Sequence, residues 1–135
     1  MNFNYQKTYT LKEATAKLEF YCAYQERCHK EVNQKLREMR MIPEAVDIII
    51  LHLLKYNFLN ETRFTQAYAR GKFNHKKWGK QRIVRELRYR DISKYNIDLG
   101  LKEITDEDYE NTFNELSEKR YFQLSTENNL QKKRK

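Results

Sequence analysis

Cys28 and His29 are the chain's one adjacent thiol and imidazole. A nucleophile and its base must face each other, yet neighbours on a helix diverge by about 100°. Asp106-Glu107-Asp108 puts three carboxylates together, as a metal site would. Carboxylates at a helix start more commonly answer the positive end of the helix dipole. The three histidines and two cysteines have no zinc-ligand spacing. His52 interrupts an apolar run, where a satisfied core imidazole is expected. His75 lies in a basic stretch, where it caps or touches an anion. The residue types therefore predict no catalytic residue, no metal and no cofactor, so the chain reads as a non-enzyme.

The remaining chemistry is charge. The net charge is +8, and it is unevenly placed. Residues 61–94 hold 11 basic and 3 acidic groups, whereas residues 95–130 hold 3 and 9. The last five residues add four bases, Lys132 to Lys135. A segment as basic as 61–94 favours an anionic partner, either nucleic acid or an acidic protein surface.

Composition narrows the scaffold that carries this charge. Only 3 glycines and 1 proline occur in 135 residues. A β-sandwich or a Gly-rich nucleotide fold needs more of both. Mean hydropathy is −1.01, and the longest apolar run, Ile48 to Leu51, is far too short to span a bilayer. Two cysteines and no basic-then-apolar leader point to a reducing, cytoplasmic setting without membrane contact.

Helical spacing accounts for most of the chain. Thr10 and Glu13 form a capping box for a first helix to about Glu26, with Leu11, Ala14, Leu18, Tyr21, Cys22 and Gln25 on one face. A second helix covers about Lys30–Arg40, with Val32, Leu36 and Met39 inward. Pro43 suits the first position of a third helix, about 44–57. That helix is apolar nearly all round and is expected to be the central pillar of a bundle. Asn60 caps a fourth helix, with Phe64, Ala67, Tyr68 and Gly71 as its buried stripe. After a link at Asn74–Trp78, a fifth helix runs from about Gly79 to Arg90. It has Ile83, Val84 and Leu87 inward and Arg82, Arg85 and Tyr89 outward. Ser93 caps a short sixth helix carrying Ile97, Leu101 and Ile104. A seventh starts at Thr105 or Asp106, with Tyr109, Phe113 and Leu116 as its inner stripe. Beyond about Leu124 the chain turns polar and is expected to be a basic disordered tail, 125–135.

The second and third helices resemble the fifth and sixth. Val32 and Leu36 match Ile83 and Leu87. Arg40-Met41-Ile42-Pro43 matches Arg90-Asp91-Ile92-Ser93, which requires one residue gained in the first copy. Ile50-Leu51 then falls opposite Gly100-Leu101. The predicted fold class is all-α, with tandem three-helix repeats in an elongated, curved stack. Its expected divisions are a lead-in at 1–9, a first repeat at 10–59, a second at 60–104 and a truncated third at 105–124.

The stretch from Asn60 to Ile92 resembles the second repeat of the RecX family of bacterial regulators. The elements that carry this are Arg63-Phe64, Ala67-Tyr68, Arg70, the basic link, Lys80 with Ile83, and Leu87 followed by a basic residue and Ile92. Glu31, Leu36 and the Ile42-Pro43-Glu44 junction look like the first repeat. The similarity covers about residues 10–105, and 106–124 looks like the opening of the third. Where the family usually has Gly, this chain has Met41 and Asp91, so these helix ends must close without it.

The resemblance implies a non-catalytic protein that binds RecA–DNA filaments and limits their growth or destabilises them. The RecA filament would be the partner, with weak, salt-dependent contact to single- or double-stranded DNA, and the protein would act as a monomer. The residues expected to serve that binding are Arg63, Arg70, Lys72, Lys76, Lys77, Lys80, Arg82, Arg85 and Arg88, with Trp78 and Tyr89 for stacking. Tyr68 is expected to be mainly structural. The other reading is a helix-turn-helix module acting on DNA directly. The long link between the fourth and fifth helices and the absence of an outward Asn/Gln set count against it.

Overall fold

The computed structural model describes residues 7–133, with side chains up to Ser125. Seven helices follow in order: α1 Leu11–Tyr24, α2 His29–Glu38, α3 Pro43–Lys55, α4 Glu61–Lys76, α5 Lys80–Tyr89, α6 Lys94–Leu101 and α7 Asp106–Lys133. No strand occurs among the described residues. The all-α expectation holds, and α1, α3, α4 and α6 start where Thr10, Pro43, Asn60 and Ser93 predict. Thr10 and Glu13 exchange backbone-to-side-chain bonds of 3.1 Å each. Asn60 accepts from the Arg63 amide at 3.0 Å, and Ser93 from the Asn96 amide at 3.2 Å. The α2 cap was not legible. Cys28 occupies it, and both its amide and its Sγ donate to Glu31 Oε1 at 3.3 Å.

Helix ends are closed by left-handed residues other than glycine: Arg40, Asn57, Lys77 and Asp91, all near φ +60°. Asp91 is where sequence reasoning placed one. The first copy uses Arg40, one residue before the expected Met41. The reason is register. The Met41 amide bonds the Leu36 carbonyl and the Ile92 amide bonds the Leu87 carbonyl, both at 3.1 Å, so Met41 is the counterpart of Ile92. No residue is gained at this junction. A constant step of 51 relates the two halves. Buried Ala14, Leu18, Cys22, Val32, Leu36, Val46, Ile49 and Leu53 fall on buried Thr65, Ala69, Phe73, Ile83, Leu87, Ile97, Gly100 and Ile104. Gly100 therefore matches Ile49, not Ile50.

Each half builds its own core. Ala14, Leu18, Val32, Leu36, Ile49 and Leu53 centre the first, and Phe64, Phe73, Ile83, Leu87 and Ile97 the second. Cys28 crosses the divide and packs in the second. Beside it, the His29 amide donates to Glu61 Oε2 at 3.2 Å and Arg63 pairs with Glu26, so the halves are joined by buried sulfur and charge.

Three packing expectations are corrected. α3 is no central pillar. It packs on α1 and α2 with Val46, Ile49 and Leu53, while Ile48 and Leu51 stand 53% and 66% exposed because no other described element covers that side. The α4 stripe is Phe64, Thr65, Ala69 and Phe73. α6 covers its Thr65 side, which turns Ala67, Tyr68 and Gly71 toward an open cleft. On α7 Tyr109 is stacked on Phe73 at 6.1 Å, whereas Phe113 and Leu116 are 63% and 45% exposed. Leu11 and Gln25 are likewise exposed on α1. The α7 backbone continues helical to Lys133, past the expected end near Leu124. The last two residues of the basic run, Arg134 and Lys135, lie outside the described residues.

Candidate functional site

The basic residues of 61–94 divide into two groups once folded. The first holds the fold together. Arg63 donates through Nε to Glu26 and through an NH2 group to the Asn57 and Phe58 carbonyls at 3.0 and 3.3 Å. Arg70 pairs with Glu103 at 3.3 Å, which ties α4 to the end of α6. Lys80 pairs with Asp106 at 3.5 Å and lies 4.9 Å over the Tyr109 ring, which fixes the root of α7.

The second group forms a half-exposed row of alternating cations and rings, in which Tyr68 and Trp78 also pack on the second core and Arg90 also pairs with Glu86 at 3.3 Å. Arg90 sits 5.0 Å over Tyr68, and Tyr68 meets Trp78 edge-on at 6.4 Å. Lys72 lies 5.4 Å over Tyr68 and 4.9 Å over Trp78, and Arg82 closes the row 4.0 Å over Trp78. The ring faces attract the cations and hold long, otherwise mobile side chains in place. The row spans α4, the turn and α5. Arg85, Arg88, Lys76 and Lys77 extend it as exposed charges. Tyr89 is 70% exposed at the end of α5.

Two contributors were missed by sequence reasoning. Lys30, on α2, lies 4.3 Å over Tyr89, donates to the Tyr89 carbonyl at 2.7 Å and approaches Asp91 at 3.8 Å. Its 59-residue separation from Tyr89 leaves no periodic signal. Arg90 entered the sequence reading only as the end of the fifth helix and the counterpart of Arg40. Between the halves lies a cleft of about 320 Å³ lined by Glu26, Glu31, Phe64, Tyr68, Lys72 and Arg90. It is acidic toward α1–α2 and basic toward α4–α5. Burial raises the Tyr68 phenol above the ordinary tyrosine value.

The other candidates take structural places. His52 pairs with Glu19 at 3.4 Å. Cys22 lies in the first core and Cys28 in the second, and burial pushes both thiols up to about 11. Asp106 points into solvent beside Lys80. No group of three or more His, Cys, Asp or Glu able to hold a metal occurs among the described residues. No described helix is long and apolar enough to cross a membrane.

Known proteins match this arrangement. Residues 60–101 fit the family model described as RecX, second three-helix domain. Regulatory protein RecX of Enterococcus faecalis is 29% identical over 117 residues, covering 84% of this chain and 44% of its own length. The chain thus spans under half of that curated relative. The crystal structure of RecX from Lactobacillus salivarius superposes with a TM-score of 0.77 at 24% identity, covering 86% of this chain and 75% of that one. A crystal structure titled regulatory protein RecX gives 0.73 at 23%, covering 86% and 59%. These two show the shared fold. The cation–ring row, from Tyr68 to Arg90, lies wholly inside the segment that the family model matches.

Proposed function

We propose that this protein is a non-enzymatic regulator of recombination that binds the RecA–DNA filament and restrains its assembly or activity. The observation that carries the reading is the half-exposed row Arg90–Tyr68–Lys72–Trp78–Arg82 within the RecX-type domain. A filament repeats phosphates and acidic protein groups at fixed spacing. Pre-positioned guanidinium groups offer forked contacts to such oxygens, and ring-held side chains lose less freedom on docking. Arg85, Arg88, Lys76 and Lys77 broaden the positive field that steers encounter. The test is imaging RecA filaments on single-stranded DNA, with ATPase measured alongside, as the protein is added. Shortened filaments and falling ATPase support the proposal. Unchanged filaments at stoichiometric protein refute it.

One observation favours the helix-turn-helix alternative. α4 runs to Lys76 and α5 starts at Lys80, so the turn is Lys77–Gly79, shorter than the link expected from sequence and within the helix-turn-helix range. Against this, the outward α5 face presents Arg82, Arg85, Arg88 and Tyr89, with Gln81 as its single amide and no Asn/Gln set to read successive adenines. Titrating naked duplex across salt separates the two readings. Weak binding with a steep salt slope fits docking onto an assembly, whereas tight sequence-selective binding fits groove reading.

A further inference from the structure

α7 starts on the second core and then leaves it. Tyr109 stacks on Phe73, and the same helical face continues through Phe113, Leu116, Arg120 and Leu124. Phe113, Leu116 and Leu124 are 63%, 45% and 46% exposed, and Tyr121, at the edge of that face, is 76% exposed.

Its charge is divided along its length. Residues 106–118 contain six acids and no base, whereas 119–133 contain four bases and one acid. Asp106 is engaged by Lys80, and Glu107, Asp108, Glu110, Glu115 and Glu118 face solvent. Two such helices side by side in parallel would set acid on acid and base on base. Antiparallel about the middle of the helix, Glu115 and Glu118 lie along the other copy's Lys119 and Arg120. The apolar residues agree with one register. With a twofold axis between Glu118 and Lys119, Phe113 meets the partner's Leu124, Leu116 meets the partner's Tyr121, and Glu118 meets the partner's Lys119. Such self-complementarity about a dyad is what an isologous interface requires.

We propose that α7 is a self-association surface on which two copies of this chain pair antiparallel, centred near Glu118–Lys119. The pairing covers the stripe that the second core leaves exposed and sets Glu115 and Glu118 against the other copy's Lys119 and Arg120. It also carries two cationic faces in one particle, which raises avidity for a repeating polymer.

The test is sedimentation and light scattering of the full chain across concentration, with cysteine cross-linking for register. Cys22 and Cys28 are buried, so an introduced surface cysteine reacts alone. Mixing Phe113→Cys chains with Leu124→Cys chains is expected to give a disulfide-linked dimer, in preference to either variant alone. Glu115→Lys with Glu118→Lys in one chain, and Lys119→Glu with Arg120→Glu in another, are each expected to weaken self-association by about tenfold. Their mixture should pair again. Circular dichroism of each variant confirms that the helices persist, and Phe113→Ser with Leu116→Ser gives a second, charge-neutral disruption. A chain that stays monomeric at tens of micromolar, or that links Phe113→Cys to its own copy first, overturns the proposal.

Discussion

Gly100 on α6 lies so close to Thr65 on α4 that a Cβ at Gly100 would sit 2.7 Å from Thr65 Cγ2 and 3.0 Å from the Thr65 carbonyl oxygen. This contact explains why α4 and α6 form the closest helix pair of the fold. One step of 51 earlier, the first half puts Ala14 and Ile49 at the matching places, with the bulk on the opposite helix. The two halves solve one packing problem with opposite choices of small residue. Gly100→Ala should gain helix propensity of about 1 kcal/mol but lose more to overpacking, because the Thr65 backbone cannot move aside. The expected net loss is about 1–2 kcal/mol in urea unfolding. Thr65→Ala in the same chain should recover part of it, since only the Cγ2 clash is relieved.

Asp91 and Arg40 close two matching helices with φ of 59° each. A left-handed L-residue costs about 1–2 kcal/mol, and glycine removes that cost while loosening the unfolded chain. Asp91→Gly and Arg40→Gly should each stabilise by about 0.5–1 kcal/mol. Asp91 also faces Lys30 at 3.8 Å, but its side chain is 80% exposed, so losing that pair matters little. Denaturant midpoints of the two variants check this, and a lower midpoint in both would mean the turns are held some other way.

The existence of every helix was legible, because caps and apolar spacing act within a few residues. Thr10–Glu13, Pro43, Asn60 and Ser93 marked starts that the fold uses. Relations between helices were less legible. The α4 stripe was placed on Ala67, Tyr68 and Gly71, since a period cannot tell a core face from a cleft face when both are apolar. α3 looked central because hydropathy does not record how many neighbours a helix has. Cys28 was weighed as a nucleophile, yet it serves as a cap and as part of the second core. Of the expected binding residues, Arg63, Arg70 and Lys80 are paired with Glu26, Glu103 and Asp106, acids distant in sequence. Lys30 and Arg90 join the surface through contacts that no local pattern encodes.

The exposed side of α3 offers a direct check on its edge position. Leu51 is 66% exposed, so Leu51→Lys should change stability by less than about 0.5 kcal/mol. Leu53 is fully buried two residues on, and Leu53→Ala should cost about 2–5 kcal/mol. Equal losses for the two would restore the central-pillar picture.

Cys22 and Cys28 should make the fold sensitive to alkali. Both thiols are raised from 9.0 to about 11 by burial, so the folded state holds their protons where the unfolded chain releases them. For an acid raised in the fold, stability is complete below the unfolded value and declines as pH climbs from about 9 to about 11. Urea midpoints should therefore fall through that window, and Cys22→Ala with Cys28→Ala should flatten the fall. Thiol labelling at neutral pH should be slow in the native protein and fast in denaturant.

Arg82 and Arg63 should separate binding from folding. Arg82 lies 4.0 Å over Trp78 on the surface, in contact with solvent, whereas Arg63 joins the two halves through Glu26 and two carbonyls. Arg82→Glu with Arg85→Glu should leave helicity and the melting midpoint nearly unchanged while reducing filament binding by about tenfold or more, with a shallower salt slope. Arg63→Ala should instead lower stability by about 1–3 kcal/mol, because it strands the Glu26 carboxylate at the junction, and any binding loss should follow the loss of fold. Thermal melts and filament co-sedimentation on the same samples distinguish the two outcomes. If Arg82→Glu with Arg85→Glu unfolds the protein while Arg63→Ala leaves it stable and unable to bind, the assignment of the two groups of cations is reversed.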